Sequence, residues 1–109
     1  VNSIIHETDV DDGYCLVFVP HTTCGITINE NADPDVRNDI ALGLHKAVPQ
    51  AGYAHLEGNS PAHIKASMIG FSVMIPVVKG ELTLGTWQGI FLCEFDGPRT
   101  RRIIIQVRS

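Results

Sequence analysis

The sequence predicts a β-rich α+β fold, a β-sandwich with two or three short helices at one edge. Three observations predict it. Short apolar or alternating runs bounded by Gly, Pro and Asp turn signals recur along the chain. Two segments between them open with an Asp-Pro or Ser-Pro pair and then carry apolar residues at helical spacing. The order is strands, two helices, then a run of strands, and this lacks the regular strand–helix alternation of a doubly wound parallel sheet.

Each element follows from its residues. Val1–Val10 has Val1, Ile4 and Ile5 at helical spacing before the turn Asp11-Asp12-Gly13, and reads as the end of a helix. Tyr14–Pro20 is a strand apolar on both faces, hence central or interfacial. In Gly25–Glu30, Ile26 and Ile28 alternate with Thr27 and Asn29, the pattern of a half-buried strand. Asp33 caps a helix whose first position suits Pro34. Val36, Ile40 and Leu44 follow at four-residue steps, with Asp39 beside the stripe, and Pro49 ends the segment. Ser60-Pro61 opens a second helix and Gly70 closes it. Phe71–Val78, Glu81–Leu84, Gly89–Phe95 and Thr100–Arg108 read as strands, with turns at Lys79-Gly80 and Asp96-Gly97-Pro98.

Composition bounds the function. The 109 residues fit a single domain, 1–109, able to bury a core without staples. The longest apolar runs, Cys15–Pro20 and Phe71–Val78, are too short to cross a bilayer. No basic segment followed by an apolar stretch opens the chain, so no leader is visible in it; it begins with Val1 rather than Met, as a chain short of an N-terminal piece would, and that piece could carry one. A net charge of −4 argues against nucleic acid and anionic membranes as partners. Arg99, Arg101, Arg102 and Arg108 nevertheless cluster near the end and leave room for a local anion site. Three cysteines, Cys15, Cys24 and Cys93, make no C-x-x-C pair, which suits a reducing, cytoplasmic compartment.

Histidines carry the chemistry. His21 follows the apolar strand at its exit, His55 lies in the Gly52–Ser60 loop, and His63 sits in the first turn of the second helix. Three neutral imidazoles converging on one point with a fourth position open would form a catalytic zinc-type site. The positive end of the helix dipole favours a neutral ring at His63, as a ligand must be. Equally, three loop and helix-start histidines can be unrelated, since no close H-x-x-x-H spacing exists. His6 and His45 read as surface residues. Glu30 is a candidate general base or a partner to a ligand imidazole. Glu94 interrupts an apolar strand, as an edge charge or a buried functional group, and Asp39 reads as a solvated helix residue. The Asn59-Ser60 amides precede a helix N-terminus suited to phosphate. Arg99, after the Gly-Pro turn, either clamps a phosphate with two parallel hydrogen bonds or stabilises its own turn. Trp87-Gln88 lies between Gly85 and Gly89; Trp87 reads as a core or subunit contact, and Gln88 as a substrate contact. Cys24 reads as an inert buried thiol rather than a nucleophile.

These residues also form a recognisable pattern. Gly13, Val19-Pro20-His21-Thr22-Thr23, Asn29-Glu30-Asn31, Asp33-Pro34 and Asp39 lead. His55, Asn59, Ala62-His63, Gly70, Pro76-Val77 and Gly80 follow. Leu84-Gly85-Thr86-Trp87-Gln88, Glu94-Phe95-Asp96-Gly97-Pro98-Arg99 and Arg102 close it. In this order and spacing the chain resembles the YjbQ-like family over nearly its whole length. The resemblance implies a jelly-roll-like β-sandwich, a homotrimer with sites near subunit boundaries, and a secondary thiamine-phosphate synthase activity. That reaction joins a pyrimidine methyl diphosphate to a thiazole phosphate and releases pyrophosphate. The family's shared histidines fall on His21, His55 and His63, so the expected site is a divalent metal, zinc first and magnesium second. His21, His63 and Glu30 would be catalytic, and Asn59, Arg99 and Gln88 would hold a small phosphorylated metabolite. A zinc-dependent hydrolase and a non-catalytic trimeric metabolite- or metal-binding protein are the alternatives. Two departures stand out. Family members usually carry one or two further strands before the segment where this chain begins, so it is either short of its N-terminus or a reduced version, and they commonly have Ala where Cys24 stands.

Overall fold

The computed structural model describes residues 1–109. Helix α1 (Asn2–Thr8) is followed by strands β1 (Gly13–Phe18) and β2 (Cys24–Glu30), helices α2 (Pro34–Ala47) and α3 (Ser60–Ile69), and strands β3 (Ser72–Val78), β4 (Glu81–Leu82), β5 (Gln88–Glu94) and β6 (Ile104–Arg108). The expected strands form with shifted ends: β1, β2 and β5 start one residue earlier than expected, β3 one later, and β4 ends at Leu82. The last, Thr100–Arg108, starts only at Ile104. The fold is α+β with antiparallel sheets, as expected.

The strands form two sheets. One has the order β4-β3-β1-β6 and the other pairs β2 with β5. β1 is central, with Leu16 opposite Met74 on one side and Gln106 on the other. Because side chains alternate along a strand, Cys15 and Val17 point to the core, where each is at most 1 % exposed. Tyr14, Leu16 and Phe18 point the other way, and with Met74, Pro76 and Ile104 they make an outer face that nothing in the chain covers. Reading β1 as apolar on both faces was therefore correct. One face meets the core and the other is open.

The core lies between the inner face of the larger sheet, the start of β2, and α1. Ile5 from the helix, Val17 and Val19, Ile26, Val77 and Val107 supply it together with Cys15 and Cys24. Two close approaches fix the layers. A Cβ on Gly13 would lie 1.9 Å from the carbonyl oxygen of Arg108, and one on Gly25 would lie 2.8 Å from that of Gly70. Only glycine lets these backbones meet. Ile26 N–H donates to Gly70 O at 3.0 Å, tying β2 to the end of α3.

Helix α2 begins as its sequence dictates, with Asp33 Oδ1 accepting from Asp35 N–H at 2.9 Å and Pro34 at the first position. It buries no residue fully. Its stripe lies along β5, and Ile40, Ala41 and Leu44 with Phe91 and Phe95 enclose an apolar groove of about 200 Å³. The chain is extended for its length. Its radius of gyration is 15.8 Å, against about 13 Å for a compact domain of this size. It exposes 6986 Å², against roughly 5,900 Å² for a monomer of its mass. No helix is long and apolar enough to cross a membrane.

Candidate functional site

The site is built where three loops meet. The segment after β1 brings Pro20, His21, Thr22 and Thr23. The start of α3 brings Asn59 and His63, with Glu57 from the loop before it. The segment after β5 brings Asp96, Arg99 and Arg101. These residues line an open hollow of about 360 Å³ whose wall is polar apart from Pro20.

Arg101 fastens two of the loops. Its side chain is 8 % exposed. Nε donates to Glu94 Oε1 at 2.6 Å, and Nη2 donates to Glu94 Oε2. Nη2 also donates to Thr23 Oγ1 at 2.9 Å and to Thr23 O at 3.2 Å. This bidentate pairing holds the Glu94 carboxyl below the usual carboxylate range. Of the two readings of Glu94, edge charge or functional group, the structure makes it the anchor of a structural ion pair. Gly97 permits this, since a Cβ there would lie 2.7 Å from Glu94 Cγ.

Asp96 joins the second pair of loops. Its Oδ2 accepts from Asn59 Nδ2 at 2.9 Å and from Arg99 Nη2 at 2.9 Å. Arg99 Nε donates to the Asp96 carbonyl at 2.8 Å. The Asn59 amide first, and the Arg99 charge after it, hold the Asp96 carboxyl below its ordinary range. Arg99 thus performs its turn-stabilising role, and its remaining donors are free at the mouth of the hollow, where the side chain is 54 % exposed.

His21 is fixed by the backbone. Its Nε2 accepts from Arg102 N–H at 2.8 Å. An amide N–H can only donate, so Nε2 carries no proton, and Nδ1 is the one ring nitrogen left for a ligand. His63 lines the same hollow. Its ring packs edge to face on His55, with centroids 5.6 Å apart, but His55 opens on a separate recess with Gln50, Tyr53 and Ser60.

The expected residues therefore divide. His21, His63, Asn59 and Arg99 come together; His55 adjoins them from behind; Glu30 and Gln88 do not. Those two pair with each other at the far end of the smaller sheet, about 20 Å of strand from Cys24. Glu30 lines the apolar groove under α2, and Gln88 Oε1 accepts from Gly85 N–H at 2.8 Å. Glu30 is next to His21 in sequence only, and a seven-residue strand carries it away. Trp87, expected in a core or a contact, is 63 % exposed. Cys24 is fully buried and burial pushes its thiol up, as its inert reading requires.

Sequence reasoning missed Asp96, Arg101 and Glu57 as members of the site. Asp96 reads as a turn residue and Arg101 as part of a strand. The available signal was the spacing of Glu94, Asp96, Arg99 and Arg101, two acids before and two bases after one Gly-Pro turn.

The model of the UPF0047 protein YjbQ-like family matches residues 1–109. The chain belongs to this family. Similar members include the UPF0047 protein MJ1081 of Methanocaldococcus jannaschii, 53 % identical over 106 residues, covering 96 % of this chain and 77 % of that protein. YugU of Bacillus subtilis is 49 % identical over 109 residues, covering 98 % and 83 %. Among crystal structures, a YjbQ/UPF0047 protein of Clostridium acetobutylicum superposes with a TM-score of 0.96 at 55 % identity, over 99 % of this chain and 84 % of that one. A conserved hypothetical protein of Thermus thermophilus gives 0.88 at 41 %.

The metal centre expected for this UPF0047 chain meets a geometric test here. No three His, Cys, Asp or Glu side chains are grouped to hold an ion. His21 has spent Nε2 on a backbone amide, and His55 faces a different recess. A three-histidine zinc site needs three nitrogens about 2 Å from one point, and one chain does not supply them. Within one chain, His21 and His63 share one hollow and His55 packs behind it.

Proposed function

We propose that the polar hollow binds a small phosphorylated metabolite and that this UPF0047 protein is an enzyme acting on it. The observation that carries the reading is the convergence of His21, His63, Asn59 and Arg99 from chain-distant loops into one open recess lined by polar side chains. Arg99 supplies positive charge at the mouth. A thiamine-phosphate synthase-type transfer is the version to test first. In it a carbon–oxygen bond to the diphosphate breaks and a carbon–nitrogen bond forms. The departing pyrophosphate takes the bonding electrons, and hydrogen-bond donors in the hollow stabilise its charge. No step here runs through a metal.

The zinc-hydrolase alternative is disfavoured by the ligand geometry above. A non-catalytic binding protein is the second reading, favoured by the state of Arg101, whose Nε and Nη2 are spent on holding loops together. We place the chain in a homotrimer. Its open apolar sheet face and extended shape support self-association. Free cysteines without a pair support a cytoplasmic setting.

Incubating the protein with the pyrimidine diphosphate and the thiazole phosphate tests the reading. Product formation abolished by a His21→Ala, His63→Ala double variant is expected. Binding of both precursors without product in the native protein would leave the binding-protein reading, and binding of neither would remove both.

A further inference from the structure

The hollow is less cationic than its arginines suggest. Arg101 gives Nε and Nη2 to Glu94 and Thr23, and Arg99 gives Nε and one Nη to Asp96. Acceptors, by contrast, are in surplus. Glu57 lines the hollow and has no ion-pair partner. Asp96 receives both its donors on Oδ2, leaving Oδ1 open. Asn59 Oδ1 is buried without a hydrogen-bond partner. Its orientation is fixed, because the carboxylate opposite can only accept, so the NH₂ must face Asp96. An anion made only of acceptors would meet two carboxylates here and leave these oxygens unpaired. An anion that also carries an O–H offers a donor to the open carboxylate oxygen of Asp96.

Resting on the anion reading given above, we infer that the site selects ligands in which a hydrogen-bond donor accompanies the negative charge, the simplest being hydrogen phosphate. Asp96 Oδ1 accepts the P–O–H proton, Arg99 binds the phosphoryl oxygens, and fully deprotonated tetrahedral anions are excluded. Asp96 is then a specificity residue, and its pairing with Asn59 and Arg99 keeps it ionised and aimed.

Calorimetric titration at pH 6 with inorganic phosphate, arsenate, sulfate and dimethyl phosphate tests this. Phosphate and arsenate carry O–H groups, sulfate carries none, and dimethyl phosphate is a monoanion without one, so charge and donor are separated. Phosphate and arsenate are expected to bind about tenfold or more tightly than the other two, the scale of one hydrogen bond to a charged group. In Asp96→Asn, where an amide replaces one acceptor oxygen, the ratio should shrink to within about threefold, mainly through better sulfate binding. Equal affinity for all four anions in the native protein overturns the donor requirement and leaves the anion site standing. Binding of none overturns both. The native ratio decides alone should Asp96→Asn fail to fold.

Discussion

Removing Arg101 should cost this domain a large share of its stability, and the size can be worked from its contacts. The guanidinium is 8 % exposed and its partner Glu94 31 %. Breaking a fully buried ion pair costs about 3–5 kcal/mol, because a charge is stranded; a surface pair is worth about 0–1 kcal/mol. Glu94 can regain water on its open side, and it keeps the Asp96 N–H at 3.0 Å. Thr23 O also keeps a donor, Phe95 N–H at 3.2 Å. Arg101→Met should therefore cost about 2–3 kcal/mol, between the two limits. For a domain of this size that lowers the melting temperature by roughly 8–12 °C. A double-mutant cycle with Glu94→Gln, followed by urea denaturation, isolates the pair. We expect a coupling of about 1.5–2.5 kcal/mol. A coupling below about 0.5 kcal/mol would refute the view that this pair fastens the loops.

Further expectations follow from the same contacts. Glu94 has a folded-state value depressed below its unfolded one, so its stabilisation is present above the ordinary carboxylate range and is lost as pH falls through the folded value. Stability should hold from pH 7 to about 5 and drop below about 4, and the drop should be shallower in Arg101→Met; identical profiles would break the link. Gly13→Ala, which drives a methyl into the Arg108 backbone, should cost about 1–3 kcal/mol or prevent folding, measured by thermal denaturation, whereas Gly43→Ala, with open space around it, should not. Ile5→Ala, emptying a fully buried site, should cost about 2–5 kcal/mol in the same assay. Leu16→Lys on the open sheet face should shift the assembled protein to monomers in light scattering; an unchanged mass would place the subunit contact elsewhere.

Much of the local structure was legible. Asp33-Pro34 and Ser60-Pro61 started the two long helices because caps and proline geometry are properties of neighbouring residues. The alternation in β2 and the double-sided apolarity of β1 announced one half-buried and one central strand. The pairing of histidines was legible only in part. His21 and His63 belong together, but nothing local distinguishes a ring that faces the hollow from His55, which faces behind it. Glu30 misled for a plain geometric reason, since strand residues move about 3.3 Å apart per position and closeness in sequence becomes distance in space.

The sequence by itself determined which elements form and in what order, because propensity, capping and hydrophobic period act over a few residues. It also determined the net charge and the three unpaired cysteines. The tertiary structure alone decided which polar groups meet. Asp96 takes donors from Asn59, 37 positions away, and Arg101 reaches Thr23 across 78. A polar side chain in this site gains its role from the partner that satisfies it after burial, and that partner is chosen by how the sheets and loops pack.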